Sequence, residues 1–134
     1  MHEIEIYVRF SETDAAGHVN NASYFFYFEE ARIKLIEQMG YKVNGKISMS
    51  SVILASTTCD YISQAYAGQT LKLKTSVAKV GNKSFTLNHL LTQSETDTVV
   101  ARASATLVCF NFDEQKSETI PEEVREILES NLVM

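Results

Sequence analysis

The chain has 134 residues, of which 45% are hydrophobic and 22% charged, and its formal net charge at pH 7 is −5. This length suits one domain spanning residues 1–134, and the composition is typical of a folded globular protein. The acidic balance argues against a general nucleic-acid binder, which needs clustered Lys and Arg. No apolar run approaches the roughly 20 residues that span a bilayer, and the N-terminus begins with polar residues rather than an export signal. We therefore expect a cytoplasmic protein with no membrane or nucleic-acid partner.

Cys59 and Cys109 are the only cysteines, and both lie in segments that we predict to be strands. Neither has a CxxC partner or the spacing of a metal ligand. The sequence therefore favours two small hydrophobic residues in a reducing compartment over a disulfide or a metal site.

The N-terminal third predicts one strand followed by one long helix. Residues 4–10 alternate apolar and polar side chains, which predicts a strand with Ile4, Ile6, Val8 and Phe10 on its buried face. Apolar residues then recur at spacings of one, three and four, which predicts an amphipathic helix: Tyr24, Phe25, Phe28, Ala31, Leu35, Ile36, Met39. Asn20 and Asn21 are suited to cap its start, and Gly40 its end.

The remaining sequence predicts four strands and a short helix. Residues 51–63 are rich in β-branched side chains, residues 71–77 and 85–91 form a hairpin about Gly81 and Asn82, and residues 99–112 form a central strand apolar on both faces. A turn at 95–97 precedes that last strand. Pro121 then begins a C-terminal helix that carries Val124, Ile127 and Leu128.

This element order predicts an α+β fold in which an antiparallel sheet packs on one long helix. The apolar face of the sheet and the apolar stripe of the helix bury each other in two layers. Because one helix cannot cover the whole sheet, we expect a second subunit to cover the rest, in a homodimer or homotetramer.

The loop between the first strand and the helix contains the residues best suited to catalysis. Asp14 precedes the helix start by a few residues, so its carboxylate lies close to unpaired N–H groups and the positive end of the helix dipole. Such N–H groups polarise a thioester carbonyl, while the carboxylate attacks it or activates water. The arrangement fits acyl-thioester hydrolysis.

Each residue of this loop also has a purely structural interpretation. Asp14 and the two asparagines suit capping, Gly17 suits a turn with positive φ, and His18 suits a hydrogen bond within the loop. Spacing alone does not decide between capping and catalysis at Asp14.

The sequence resembles the 4-hydroxybenzoyl-CoA thioesterase-like branch of the hotdog superfamily. The residues that carry the resemblance are Thr13, Asp14, Gly17, the run His18–Asn21, Tyr24 and the run Phe28–Arg32. Weaker matches follow at Asp60, Tyr61, Gly68, Gly81 and Ser84. The resemblance implies a hotdog fold, in which the sheet wraps around the long helix and each active site lies between two protomers.

The resemblance also implies an activity and roles for particular residues. Asp14 becomes the catalytic carboxylate, and the backbone N–H near Asn21 becomes the group that polarises the carbonyl. The substrate is an acyl-CoA or acyl carrier protein thioester, and no metal or redox cofactor is needed. The residues expected to contact substrate are Gly17, His18, Asn20, Tyr24, Lys79, Lys83 and Ser84.

The chain departs from many relatives at Asn21, where they have histidine, at Gln69, where they have an acidic residue, and after Tyr61, where they have a proline. Asn21 can orient a water molecule or a carbonyl but cannot transfer protons at neutral pH. A catalytic imidazole is therefore not expected at that position.

Half of the lysines lie in the predicted hairpin, at Lys72, Lys74, Lys79 and Lys83. Lysines on a strand also prevent aggregation, which is the favoured interpretation for Lys72 and Lys74. Lys79 and Lys83 flank the turn and are the better candidates for contacts with CoA phosphates.

Two other functions fit a hotdog fold. A hydroxyacyl-thioester dehydratase needs a histidine and a carboxylate, for which His18 and Asp14 are the one local pair. A noncatalytic acyl-CoA-binding module needs no carboxylate, so Asp14 argues against it.

Overall fold

The computed structural model describes residues 2–38 and 52–132. It contains two α-helices, one 3-10 helix and six strands in these residues. The elements are β1 (His2–Tyr7), a 3-10 helix (Phe10–Glu12), α1 (Asn21–Gln38), β2 (Val52–Tyr61), β3 (Thr70–Val80), β4 (Ser84–Gln93), β5 (Val99–Asn111), β6 (Lys116–Ser117) and α2 (Glu122–Ser130).

The strands form an antiparallel sheet in the order β1-β3-β4-β5-β2, with β6 paired to the end of β5. Strands β1 and β2 are therefore its edges. The predicted hairpin is confirmed, with Val80 paired to Phe85 across the turn. The antiparallel sheet, the long helix and the short C-terminal helix confirm the predicted α+β hotdog architecture.

Helix α1 lies on one face of the sheet because its apolar stripe matches the inward-facing residues of the strands. The buried side chains of the helix share this stripe: Tyr24, Tyr27, Phe28, Ala31, Leu35, Ile36. They pack in two clusters, one with Leu71, Leu73 and Leu91 and the other with Leu87 and Leu107. Helix α2 contributes Val124 and Leu128 to the second cluster.

The first strand is shorter than the sequence predicts. Strand β1 ends at Tyr7, and Phe10, which we expected on the buried face, lies in the 3-10 helix and is 84% exposed. Strand β1 ends there because its partner strand, β3, extends no further. Tyr7 pairs with Thr70, the first residue of β3, so the chain beyond Val8 has no ladder to continue.

Three further predictions need adjustment. Strand β5 is interior, as predicted, but only one of its faces is apolar, because Arg102, Ser104 and Thr106 occupy the outer face. The short strand β6 was not predicted. Pro121 directly precedes α2 rather than lying within it. Met39, Gly40 and Ser51 lie outside the described residues.

The helix does not cover the inner face of the sheet evenly. The backbone of α1 approaches β3 and β1 most closely, and Leu71 and Leu73 on the inner face of β3 are completely buried. On β2, by contrast, Leu54 and Tyr61 pair with buried residues of β5 and so face the same side, yet they are 44% and 45% exposed. The inner face of β2 is therefore less completely covered than that of β3.

Polar side chains are also buried between α1 and the sheet. Arg32 of α1 and His89 of β4 are 5% and 3% exposed, and Thr75 of β3 is 1% exposed. The His89 ring stacks on Phe28, with ring centroids 5.2 Å apart, and its Nδ1 is 2.8 Å from Thr75 Oγ1. Burial, and then the positive charge of Arg32, lower the pKa of His89 to about 3.

This pKa predicts a loss of stability in mild acid. Unfolded histidine has a pKa of about 6.5, so below that value the unfolded chain binds a proton that the folded chain does not. The free energy of unfolding should therefore fall, relative to that of His89→Gln, by about 1.4 kcal/mol for each pH unit between about 6 and 4. Urea denaturation of both proteins across this range measures the difference. Parallel pH profiles would show that His89 is not held neutral by the fold.

Candidate active site

The loop before α1 is a tight hairpin that brings Asp14 beside the start of the helix. Thr13 bridges Val19, and the Asp14 N–H donates to the His18 carbonyl at 2.8 Å. The Asn20 N–H donates to the Glu12 carbonyl at 2.9 Å, which brings the helix start next to the chain entering the loop. Gly17 has a φ of 82°, so the predicted need for positive φ at this turn is confirmed.

The two carboxylate oxygens of Asp14 have different surroundings. Oδ1 accepts hydrogen bonds from the N–H groups of Ala16 at 2.9 Å and His18 at 3.2 Å, so it stabilises the turn. Oδ2 has no hydrogen-bond or ion-pair partner among the described residues, and Asp14 is exposed. The structural interpretation of Asp14 is therefore confirmed for one oxygen, while the other remains available to a ligand.

The first N–H groups of α1 are only partly satisfied. Asn20 caps the helix as predicted: its side-chain Oδ1 accepts from the Ala22 N–H at 2.9 Å, and its carbonyl accepts from the Ser23 N–H at 2.9 Å. Asn21, the first helical residue, is exposed, and its N–H donates to no described residue. An unpaired N–H at a helix N-terminus is a donor for an incoming carbonyl oxygen.

Tyr61, at the end of β2, connects this edge of the sheet to the helix start. Its hydroxyl donates to the Asn21 carbonyl at 3.2 Å, and its ring contacts that of Tyr24 at 5.2 Å between centroids. Tyr24 is 2% exposed and points into the core, so it contributes an apolar wall rather than a free hydroxyl at the surface. Burial raises the pKa of both phenols.

The His18 side chain turns away from the Asp14 carboxylate. Its ring packs edge-on against Tyr66 with centroids 5.0 Å apart, and His18 bridges Tyr66 through the backbone. His18 bonds to Asp14 only through its backbone: its N–H donates to the Asp14 carboxylate, and its carbonyl accepts from the Asp14 N–H. The imidazole and the carboxylate thus form no hydrogen bond in the described structure, although a dehydratase would need them as a pair.

Two supports of this loop were not predicted from the sequence. Glu12 Oε1 accepts from the Tyr27 hydroxyl at 2.9 Å and thereby fixes the loop to the helix; burial raises the pKa of that phenol strongly. Tyr66 holds the His18 end of the loop. The spacing of Glu12 and Tyr27 carries no signal in the sequence, because the contact forms only when the chain reverses between them.

The hairpin lysines lie far from Asp14 within one chain. The Asp14 loop contacts Tyr66, just before β3 begins at Thr70, whereas Lys79, Lys83 and Ser84 lie at the other end of β3 and β4. Ten residue steps along β3 correspond to about 33 Å. Lys79 and Lys83 are exposed and form no ion pair with a described residue. One protomer does not bring these residues to Asp14.

Other features bear on the kinds of function that fit. Among the residues described, no three His, Cys, Asp or Glu side chains cluster as ligands for a metal ion. Within that same part of the chain, no helix has the length and apolar character needed to cross a membrane. Cys59 and Cys109 are free thiols, as predicted, and burial raises the pKa of both.

Comparison with known proteins agrees with this geometry. Residues 8–128 match the model of the Thioesterase-like superfamily. The chain is 28% identical to the long-chain acyl-CoA thioesterase FadM of Escherichia coli (strain K12), over 95% of this chain and 96% of FadM. It is 38% identical to the uncharacterized protein YsmA of Bacillus subtilis (strain 168) over 64% of its own length, a match that spans 57% of YsmA.

A solved structure has the same fold over nearly the whole chain. It is that of a predicted thioesterase from Bacillus stearothermophilus, which is 29% identical and superimposes with a TM-score of 0.88 over 98% of this chain and 96% of that chain. The described strand order and the position of the long helix agree with that likeness. The chain belongs to the Thioesterase-like superfamily and is a thioester hydrolase of the hotdog fold.

Proposed function

We propose that the protein hydrolyses an acyl-CoA thioester to a free acid and a thiol, with Asp14 as the catalytic carboxylate. The observation that carries the proposal is that two groups have no described partner, Asp14 Oδ2 on the loop and the Asn21 N–H at the helix start. The hydrogen bond from the Asn20 N–H to the Glu12 carbonyl joins these two parts of the chain. The likeness to FadM, whose name describes a long-chain acyl-CoA thioesterase, supports CoA as the carrier of the acyl group. An acyl carrier protein is the alternative carrier.

The chemistry follows from these two groups. The Asn21 N–H donates to the thioester carbonyl oxygen and stabilises the negative charge that develops on it in the transition state. Asp14 Oδ2 either takes a proton from water as the water oxygen attacks the carbonyl carbon, or itself attacks to form an anhydride that water then cleaves. In both routes the carbon–sulfur bond breaks and the thiolate leaves. The Asn21 side chain can orient the water but cannot take its proton.

The remaining loop residues bind the substrate in this proposal. Gly17 leaves room for the substrate at the turn, since nothing lies within 4 Å of the position a Cβ would take. Asn20 holds the helix start in place, and the rings of His18 and Tyr24 form walls beside the thioester. Ser84 and the two turn lysines belong to the part of the site that binds the CoA phosphates.

In a homodimer, Ser84 and the two turn lysines of one subunit could reach the Asp14 loop of the other. Strand β2 is an edge strand and carries exposed apolar residues such as Ile53 and Leu54. Pairing it with a second copy would satisfy its unpaired backbone groups and bury these side chains. Val52 pairs with Cys109 near the β3–β4 turn, and Tyr61 lies at the Asp14 end. A two-fold axis through β2 would therefore bring the partner's turn toward the site. A homotetramer of two such dimers is the alternative assembly.

The alternative functions receive less support. A dehydratase is not favoured because the His18 imidazole packs on Tyr66 instead of the Asp14 carboxylate. A noncatalytic module leaves the unpaired carboxylate unexplained. Incubation with acyl-CoA and enoyl-CoA panels separates the three: thiol release indicates a thioesterase, hydration of the enoyl group a dehydratase, and binding without turnover a module.

The proposal treats residues 1–134 as a single hotdog domain, in keeping with the family match over residues 8–128. It locates the protein in the cytoplasm, since the two free thiols suit a reducing compartment. It includes no metal, no redox cofactor and no nucleic-acid or membrane partner.

We predict that Asp14→Asn abolishes turnover and leaves the fold intact. The asparagine oxygen still accepts from the Ala16 and His18 N–H groups, so the turn is preserved, but the amide can neither attack a carbonyl nor take a proton. Loss of a general base costs about 10² to 10⁴ in rate, and loss of a nucleophile can cost more. Thiol release from an acyl-CoA and thermal unfolding measure the two effects.

The control for this variant is Asp113→Asn, which changes an exposed aspartate in the turn after β5 and should leave activity unchanged. If Asp14→Asn retains more than about a tenth of the wild-type kcat/KM, a loss below about 1.4 kcal/mol, Asp14 is not the catalytic group.

A further prediction tests whether the lysines act across the dimer. Replacing Lys79 and Lys83 together by Ala should raise KM for acyl-CoA with little change in kcat, because phosphate contacts are the same in ground and transition states. When this variant is coexpressed with Asp14→Asn, mixed dimers contain one site with an intact Asp14 and the intact lysines of the other subunit. Those dimers should show the wild-type KM.

Steady-state kinetics on purified mixed dimers carrying two different tags measure this result. A high KM in the mixed dimers would show that the lysines act on the site of their own chain. A monomer in sedimentation experiments at micromolar concentration would rule out a site shared between two subunits. Lys116→Ala, in β6, serves as the control for a general loss of positive charge.

A further inference from the structure

Glu12, two residues before Asp14, contacts the start of α1 through both its backbone and its side chain. Its carbonyl accepts from the Asn20 N–H at 2.9 Å and from the Ser23 hydroxyl at 3.0 Å. Its side-chain Oε1 accepts from the Tyr27 hydroxyl at 2.9 Å. The three donors are three and four residues apart, so they lie along one side of the helix. One residue of the loop therefore contacts two successive turns of α1.

Arg9 fixes the same carboxylate on the loop side. Glu12 Oε1 also accepts from the Arg9 N–H at 2.9 Å, and Oε2 accepts from Arg9 Nη1 at 3.2 Å. The Arg9 side chain is 70% exposed, so this ion pair contributes little energy. The backbone N–H of Arg9 and the hydroxyl of Tyr27 are thus the contacts that determine where the Glu12 side chain lies.

The Tyr27 hydroxyl reaches Glu12 from a buried ring. Tyr27 is 3% exposed, and its ring makes an edge contact with that of Tyr24, with centroids 6.1 Å apart. A ring that is packed on all sides places its hydroxyl at one position. The contact between Tyr27 and Glu12 therefore fixes the loop relative to the helix.

A second contact at the helix start comes from the sheet instead of the loop. The Tyr61 hydroxyl, at the end of β2, donates to the Asn21 carbonyl at 3.2 Å. This bond fixes the helix start relative to the edge of the sheet. Glu12, in contrast, fixes the helix start relative to the chain that carries Asp14.

We propose that Glu12 and Tyr27 are positioning residues for the thioesterase reaction. Their contact sets the distance and direction between Asp14 Oδ2 and the Asn21 N–H. This inference rests on the proposed function. Glu12 lies two residues before Asp14, and the Asn20 N–H that it binds lies one residue before Asn21. When a carboxylate and an N–H act on one carbonyl, a misplacement of about 1 Å can lower the rate about 10²-fold.

The variant Tyr27→Phe removes only the hydroxyl, and water can replace it at Glu12 because Glu12 is only half-buried. In thiol release from an acyl-CoA, kcat should fall at least about tenfold and KM should change less than about twofold, because alignment is lost while the groups that bind substrate remain. The control Thr86→Val removes a side-chain hydrogen bond to Thr106, 3.1 Å long and on the outer face of the sheet, and should leave kcat unchanged. Both variants are assayed well below their melting temperatures.

Two substitutions of Glu12 separate the hydrogen bond from the charge. Glu12→Gln keeps an oxygen that accepts from Arg9 and Tyr27 and loses only the exposed ion pair, so kcat should stay within about threefold of the wild type. Glu12→Ala removes both contacts and should lower kcat at least as far as Tyr27→Phe does. Equal losses in Glu12→Gln and Glu12→Ala would show that the charge is what matters, which would overturn the inference.

The combination of Tyr27→Phe with Asp14→Asn tests whether Tyr27 acts through Asp14. The double variant should lose less than about twofold beyond Asp14→Asn alone, because alignment no longer matters once the carboxylate is gone. If the two losses multiply in full, Tyr27 acts independently of Asp14 and is not a positioning residue for it.

Backbone amide exchange gives a measurement that does not depend on turnover. In Tyr27→Phe the N–H groups of Asp14 and Asn20 should exchange faster than in the wild type, while those of β4 should be unchanged. An unchanged kcat in folded Tyr27→Phe would overturn the positioning role, and the proposed function would stand as long as Asp14→Asn is inactive. Full activity of Asp14→Asn would instead refute the proposed function.

Discussion

A single helix is too narrow to cover the inner face of this sheet, and this mismatch leaves the β2 side of the sheet partly exposed. An α-helix with side chains is about 10–12 Å wide, whereas five strands at about 4.8 Å spacing extend over about 19 Å or more. Helix α1 lies over β1 and β3, where the inward-facing leucines are completely buried. The side of the sheet toward β2 keeps exposed apolar residues and an unpaired edge. The substrate and a second subunit are the two groups that could cover this region, and the proposed function uses both.

The loop before α1 shows how one residue can serve structure and chemistry together. The two interpretations of Asp14 concern different oxygens: Oδ1 closes the turn on Ala16 and His18, and Oδ2 is unpaired. Holding Oδ1 fixes the direction of Oδ2, so the structural role would orient the oxygen to which we assign catalysis. The same division applies to the helix start, where the Asn20 side chain occupies the Ala22 N–H and leaves the Asn21 N–H unpaired. In the proposed function, the capping interaction would position the catalytic groups and is not an alternative to catalysis.

The sequence predicted the elements well where periodicity is local. The stripe from Tyr24 to Ile36 and the alternation in β3 and β4 depend only on neighbours in the chain, so the helix and hairpin were predictable. Phe10 was wrongly assigned to a buried strand face because the end of β1 depends on where β3 begins, some 60 residues later in the sequence. The roles assigned to Asp14 and Asn21 remain predictions. The distance between Asp14 and the turn lysines could not be predicted from the sequence either, since it follows from strand order and length rather than from any motif.

Arg32 is buried, which was not predicted from the sequence. It lies in the helical stripe at four residues from both Phe28 and Ile36, a position that ought to be apolar in a helix built only for stability. Replacing buried charges by apolar side chains of similar volume is often neutral or stabilising, so packing alone does not favour arginine there. A domain whose net stability is about 5–15 kcal/mol does not easily accommodate an uncompensated buried cation. The same stripe uses tyrosine, phenylalanine, alanine, leucine and isoleucine elsewhere. The choice of arginine at this one position therefore cannot be explained by packing alone.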